Sequence, residues 1–272
     1  MQRLLIAALT ALLVVPSTSF AQRERDTDRQ TDENAFGWEG RIPEGRWISV
    51  YNLNGPITVE EGSGDQVEVR AEKSWRRGDP ADVRIETVRD GDDVVICALW
   101  TERSTCDADG LHTRGRGDDR GDDRNDVSVR FTVRLPRGVK VRASSVNGAI
   151  DISGARAEVV ARSVNGRIDA STSSGPVDAQ TVNGSINVRM ESLASQADME
   201  FETVNGSVKV EAPSNLAADV SMATVNGSLH SDFPLTMQGR ITKHRINGTV
   251  NGGGRRLSLK TVNGSIELRQ TS

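Results

Sequence analysis

The feature that most constrains this chain is an Asn-Gly pair that follows an aliphatic residue and returns along the sequence. Six copies have Ser or Thr before Val-Asn-Gly, and two variants have Leu or Ile in place of Val. From Asn147 onward the copies are 16 to 22 residues apart, and a period near 20 residues is typical of repeat architectures. The candidate turn residues are Asn54, Gly55, Asn147, Gly148, Asn165, Gly166, Asn183, Gly184, Asn205, Gly206, Asn226, Gly227, Asn247, Gly248, Asn263 and Gly264.

Each Asn-Gly pair predicts a tight turn. Both residues tolerate a positive φ, Gly without steric cost and Asn through local hydrogen bonds. Between the turns, apolar and polar residues alternate: Val177, Ala179 and Thr181 share one face, and Asp178 and Gln180 share the other. This alternation predicts strands, so each repeat should hold about two short strands and two corners.

A single repeat cannot bury its apolar face alone, so the copies must stack. We predict an all-β fold: a β-solenoid, similar to a single-stranded β-helix, of about seven stacked coils with Asn-Gly turns, preceded by an N-terminal β cap region. The turn Asn amides should then form a hydrogen-bonded ladder. The polar residues 269–272 are expected to close the array against edge pairing. A meander of hairpins is the alternative, because Asn-Gly also favours hairpin turns.

Composition divides the chain into four parts. Residues 1–21 resemble a secretory signal peptide, with Arg3, an apolar run from Leu4 to Val15 and small residues before the expected cleavage site. Residues 22–35 are predicted to be a disordered linker. Residues 36–126 should form the cap and first rung, with a mobile Arg/Gly/Asp-rich loop at 107–126, and residues 127–269 should form the solenoid. After signal removal we expect no membrane span, and we expect the protein in the periplasm, at the cell surface or secreted.

The two cysteines, Cys97 and Cys106, are the only ones in the chain. An even count in an exported chain favours a disulfide. The alternative is a catalytic thiol, which needs a partner base. The three histidines, His112, His230 and His244, show no recognisable Cys-His pattern.

Composition and motifs argue against several classes of function. The net charge of −4 disfavours nucleic-acid binding, which requires a basic surface. Aromatic residues make up 4% of the chain, so stacking on sugars is not favoured. A polysaccharide-cleaving solenoid would need paired carboxylates, and Asp151, Asp169 and Asp178 are the outward-facing candidates, which we expect to be near neighbours. No nucleotide, zinc or nucleophile motif is present, so we predict no enzyme activity, no cofactor and no metal site.

Segments outside the regular repeat add to a resemblance with a known family. Gly45-Arg46-Trp47 leads into the first Asn-Gly copy, and Val133-Arg134-Leu135-Pro136-Arg137-Gly138 precedes the regular Thr-Val-Asn-Gly-Ser copies. Together these resemble a bacterial family of exported domains, domain of unknown function 4097, labelled "putative adhesins" and similar to β-helical proteins. The resemblance covers residues 36–269. It implies an adhesin-like, non-enzymatic cell-envelope scaffold or interaction protein whose partner is an envelope protein or polysaccharide. The alternative is a β-helical protein that binds or cleaves polysaccharide.

Overall fold

The computed structural model describes residues 29–32, 34–113, 125–237 and 242–271. The predicted signal peptide, most of the predicted linker and the centre of the Arg/Gly/Asp-rich loop lie outside these residues. The described residues form the predicted all-β fold, in which a 3-10 turn at Pro80–Asp82 is the one helical element. The strands are β1 (Arg29–Asp32), β2 (Ala35–Gly40), β3 (Trp47–Asn54), β4 (Ile57–Glu61), β5 (Val67–Ser74), β6 (Arg84–Asp90), β7 (Asp93–Leu99), β8 (Ser104–Asp107), β9 (Gly110–Thr113), β10 (Ser128–Leu135), β11 (Lys140–Asn147), β12 (Ile150–Ala155), β13 (Val159–Ser163), β14 (Ile168–Thr172), β15 (Val177–Gln180), β16 (Ile186–Met190), β17 (Met199–Glu202), β18 (Val208–Ala212), β19 (Ala218–Ala223), β20 (Leu229–Ser231), β21 (Thr236–Met237), β22 (Arg245–Val250), β23 (Arg255–Lys260) and β24 (Ile266–Gln270).

Two long sheets face each other across the core. Sheet 1 has the strand order β1-β2-β5-β10-β4-β12-β14-β16-β18-β24-β20, and sheet 2 has the order β21-β22-β19-β23-β17-β15-β13-β11-β3-β7-β6. From β11 to β18 consecutive strands alternate between the sheets, and each pairs in parallel with the strand two places along the chain. We call one strand of each sheet, with the Asn-Gly corner that joins them, a coil.

Like residues stack from coil to coil because the register between parallel strands is even. Ile150 lies beside Ile168, and Ile168 lies beside Ile186. In sheet 2, Val159 lies in the same way beside Val177. All of these side chains are fully buried between the sheets, and each stabilises the fold by about 1.5–3 kcal/mol.

The coils do not stack in chain order. The strands β23 and β24 lie between β17–β18 on one side and β19–β20 on the other, with parallel pairing on both sides. The expectation that residues 269–272 close the end of the array is therefore wrong, because β24 is an interior strand. The coil that comes last in the sequence separates two coils that are consecutive in the sequence.

One predicted turn is absent. Asn247 and Gly248 lie inside β22, a continuous strand that pairs antiparallel with β19. Antiparallel β22 and β21 end sheet 2 beyond β19. Phe233 is buried there, and Leu235 and Ile246 pack against the same core. The segment that contains this copy therefore covers the end of the core instead of adding a coil.

At the opposite end, both sheets continue beyond the coil formed by β3 and β4. Sheet 2 is extended by β7 and β6, and sheet 1 by β10, β5, β2 and β1. The predicted disulfide is confirmed: Cys97 of β7 is bonded to Cys106 of β8 with an S–S distance of 2.03 Å. The hairpin β8–β9 covers the outer face of β7, where Cys97 joins Val95 and Leu99 in a small second core.

Within the described residues, no helix has the length and apolar character needed to cross a membrane.

Candidate interaction edge at the Asn-Gly corners

The Asn side chains of successive corners form a continuous amide ladder. From Asn165 onward in the stack, each Asn Nδ2 donates to the Asn Oδ1 of the preceding coil, and every such distance is 2.8 Å. The order along the ladder is Asn147, Asn165, Asn183, Asn205, Asn263 and Asn226. The ladder therefore follows the stacking order of the coils and includes the coil that comes last in the sequence.

The residue two places before each Asn also bonds to the neighbouring coil. Thr181 Oγ1 donates to the carbonyl oxygen of Gly166 at 2.9 Å, and Thr203 Oγ1 donates to that of Gly184 at 2.8 Å. Equivalent bonds are made by Ser145, Ser163, Thr224 and Thr261. These hydroxyl groups each supply a hydrogen-bond donor to a corner carbonyl oxygen.

The corner glycines are required for a reason that the sequence did not predict. Gly184 does not have a positive φ. Among the described residues other than Gly, Asn251 alone has a positive φ. A Cβ at Gly184 would instead overlap the carbonyl oxygen of Gly166 and lie 2.5 Å from its carbonyl carbon. The same close approach recurs at the other corners from Gly148 to Gly264. Only the first corner, at Gly55, combines the close approach with a positive φ, of 119°.

Five of the six corner Val side chains are exposed, although they are apolar. The exposed fractions are 40% for Val164, 40% for Val182, 36% for Val204, 39% for Val262 and 59% for Val225. The sequence contained a signal for this, because alternation from Val177 through Thr181 places Val182 outward. We call this row of Val side chains, together with the adjacent Asn ladder, the Val-Asn edge.

The Val-Asn edge carries no charged residue at its Val, Asn or Gly positions. Arg167, which directly follows one of these glycines, turns away from the edge towards the outer face of sheet 1. There its Nη2 lies 2.6 Å from Asp151 Oδ1 and its Nε lies 2.5 Å from Asp169 Oδ2. The edge is therefore an uncharged strip in a chain of which 26% is charged.

The three candidate carboxylates of a polysaccharide-cleaving site do not come together. Asp151 and Asp169 lie side by side on sheet 1 and share the Arg167 guanidinium, and Asn187 Nδ2 also donates to Asp169 at 2.7 Å. Asp178 lies on β15 of sheet 2, on the opposite side of the molecule. The prediction that all three acids are near neighbours is therefore wrong, because β12 and β14 belong to sheet 1 and β15 belongs to sheet 2.

Asp178 and Arg255 each have buried polar atoms without a hydrogen-bond partner. Asp178 is half-buried and its Oδ1 has no hydrogen-bond donor. Burial raises the pKa of Asp178, Arg162 opposes the rise in pKa, and Glu200 and Glu158 add to it. Arg255 is 5% exposed, its Nε and Nη1 have no acceptor, and burial lowers its pKa.

The remaining candidate residues have local structural roles. His112 Nε2 lies 2.9 Å from Asp107 Oδ1. No group of metal-ligating residues suited to a metal ion occurs in the described part of the chain. Asp126 Oδ1 accepts the backbone N–H groups of residues 76, 77 and 78 at 3.1, 3.0 and 3.1 Å. These bonds lower the pKa of Asp126 to about 2. They also hold the backbone of residues 77 and 78, which belong to an Arg-Gly-Asp triplet at 77–79.

Comparison with known proteins assigns the family. A putative cell adhesion protein from Clostridium sporogenes ATCC 15579 is 10% identical, with 86% of this chain and 99% of that chain covered and a TM-score of 0.49. A putative adhesin from Bacteroides fragilis NCTC 9343 is 12% identical, with 87% and 98% covered and a TM-score of 0.33. No curated protein matches. The Toastrack DUF4097 family matches residues 121–269, which is more than half of the chain. The chain therefore belongs to the Toastrack DUF4097 family.

Proposed function

We propose that this protein is a non-enzymatic, exported β-solenoid that acts as an adhesin-like scaffold of the cell envelope. In this proposal the Val-Asn edge is the contact surface, and the partner is an envelope protein or polysaccharide. The observation that carries the proposal is the row of exposed Val side chains in successive coils. Contiguous exposed apolar surface of this kind is typical of interaction sites.

Stacking gives the edge a regular geometry. Adjacent strands of a sheet are about 4.7–4.9 Å apart, so the coils present one Val and one Asn at each such step. Each coil adds a small and equivalent contact, and such contacts together can hold a partner that one contact could not. The disulfide between Cys97 and Cys106 suits an oxidising compartment such as the periplasm or the cell exterior.

The proposal assigns no catalytic role to the acidic residues of sheet 1. Asp151 and Asp169 share one guanidinium, as is usual on a solvated face of a sheet. Release of reducing ends from envelope polysaccharide should therefore be undetectable with the protein. Turnover that Asp151→Asn or Asp169→Asn abolishes would overturn the non-enzymatic part of the proposal.

Adhesion can be measured with beads that carry the purified protein. The beads should remain on bacterial cells through a wash, and the double variant Val182→Asp/Val204→Asp should lose most of this retention. A matched control, Ser153→Asp/Ser171→Asp, adds the same charge to two neighbouring coils on the outer face of sheet 1 and should retain binding. Equal retention of beads carrying the two variants would rule out the Val-Asn edge as the contact surface. No retention of the wild-type beads would rule out the adhesive function.

A further inference from the structure

We propose that the Val-Asn edge pairs with the Val-Asn edge of a second copy of this chain, in antiparallel orientation. This inference rests on the proposed function and specifies its partner. It starts from what the side chain at each position of the repeated phrase contacts. The hydroxyl residue, the Asn and the Gly each contact the neighbouring coil, whereas the Val side chain is exposed.

The chemistry of the edge selects an uncharged partner. A charged side chain placed against the Val row would lose hydration without gaining an opposite charge. The outer faces of both sheets are unsuitable partners, because they carry ion pairs such as Arg189–Glu211 at 2.9 Å and Lys260–Glu200 at 2.6 Å. A second Val-Asn edge, which presents the same exposed Val side chains, matches the first in polarity.

The Asn ladder has hydrogen-bonding capacity left for a partner. A side-chain amide has two N–H donors and an oxygen with two acceptor sites. An Asn inside the ladder, such as Asn183, donates once to Asn165 and accepts once from Asn205. One N–H and one acceptor site therefore remain on each such amide. A second ladder offers the same two groups, so each edge can satisfy the other.

The repeat also fixes the register. The stacking order places the Val residues in the sequence Val146, Val164, Val182, Val204, Val262 and Val225. Two such rows have the same spacing, so a twofold axis at the centre brings every Val against a Val. The central contact is then between Val182 and Val204 of the second copy. A twofold contact of this kind is closed and self-complementary.

The edge is narrow, since it is one Val and one Asn wide. Stable pairs of proteins bury about 800 Å² on each partner, and a strip this narrow offers less. A single pair of edges should therefore associate weakly, and many copies on one surface should hold through multivalency. Homophilic contact between crowded copies is consistent with an adhesive role.

A bead-clumping assay with charge-substituted variants tests the pairing. Beads coated with the wild-type protein should clump, and beads coated with Val182→Asp alone or Val204→Lys alone should clump about tenfold less or weaker still. Mixing Val182→Asp beads with Val204→Lys beads should restore clumping, because the two new charges face each other across the antiparallel edge. Circular dichroism should show unchanged melting for both exposed substitutions.

The mismatched mixture of Val182→Asp with Val182→Lys beads is the control and should not restore clumping. Equal rescue by both mixtures would indicate unspecific charge attraction and overturn the inference. Clumping of wild-type beads only after addition of soluble envelope polysaccharide would also overturn it, in favour of a polymer partner. Wild-type beads that adhere to cells lacking the protein but never clump would overturn the inference and leave the proposed function standing.

Discussion

Replacement of Gly184 by Ala tests whether the corner glycines are required by the close approach of neighbouring coils. The added Cβ would lie 2.5 Å from the carbonyl carbon of Gly166 and 2.9 Å from the backbone nitrogen of Arg167. Both neighbours are backbone atoms, so the coils themselves must separate. Overpacking of this kind costs about 1–3 kcal/mol. The displaced oxygen of Gly166 also accepts the Thr181 hydroxyl at 2.9 Å, a bond worth about 1 kcal/mol. We expect the free energy of unfolding to fall by about 2–4 kcal/mol.

Two other glycines separate this steric effect from conformational strain. Gly64 does not have a positive φ, and the nearest atom to its added Cβ would be 3.9 Å away. Gly64→Ala should therefore be neutral or stabilise the fold by up to about 1 kcal/mol through the unfolded chain. Gly252 has a φ of 84° with no atom within 4 Å of the added Cβ. Gly252→Ala should cost about 1 kcal/mol from backbone strain alone.

Thermal and urea unfolding followed by circular dichroism measure all three variants. For a chain of this size, 1 kcal/mol shifts the Tm by about 2–4 °C, so Gly184→Ala should lower the Tm by about 4–16 °C. The expected order of destabilisation is Gly184→Ala, then Gly252→Ala, then Gly64→Ala. If Gly184→Ala lowered the free energy of unfolding no more than Gly252→Ala, the close-approach explanation of the corner glycines would be refuted.

Three further predictions follow from side chains described above. Replacing Cys97 and Cys106 by Ala should lower the free energy of unfolding by roughly 2–3 kcal/mol, and hydrogen exchange should increase first in the hairpin β8–β9; an unchanged urea midpoint would contradict this. Because burial raises the pKa of Asp178, its carboxyl group should cost the fold stability as pH rises from its ordinary pKa of 3.8 to the raised one. Asp178→Asn should therefore stabilise the fold more at pH 7 than at pH 3, and parallel pH–Tm curves would count against it. Arg255→Met removes a buried charge without acceptors for two of its nitrogens and should stabilise the fold by about 1 kcal/mol or more; a lower Tm would contradict this.

The sequence predicted the local structure of the repeats well, because period and alternation are local signals. It also predicted the Asn amide ladder, which the hydrogen bonds between corners show directly. The order of the coils was not predictable in this way. The phrases that begin at Thr203, Thr224 and Thr261 are all Thr-Val-Asn-Gly-Ser, so any two of them can stack equally well. The choice between them depends on the connecting segments, which carry no repeat.

By contrast, the first residue of the phrase differs between the copies that form corners and the copy that does not. Where that residue is Ser or Thr, its hydroxyl bonds to a glycine carbonyl of the neighbouring coil and the chain turns. Asn52 replaces the hydroxyl in the first copy, and its Nδ2 donates to the carbonyl oxygens of Gly55 and Val129 at 2.9 and 2.7 Å.

The copy that begins with Arg245 has neither kind of group at this position, and its chain continues straight through Asn247 as strand β22. A long cationic side chain cannot take the buried place of a Thr hydroxyl without losing its hydration. The first residue of the phrase therefore distinguishes the copies that form corners from the copy that does not. Because the edge is built only from corners with a hydroxyl residue, the same position also sets how many Val side chains the proposed contact surface presents.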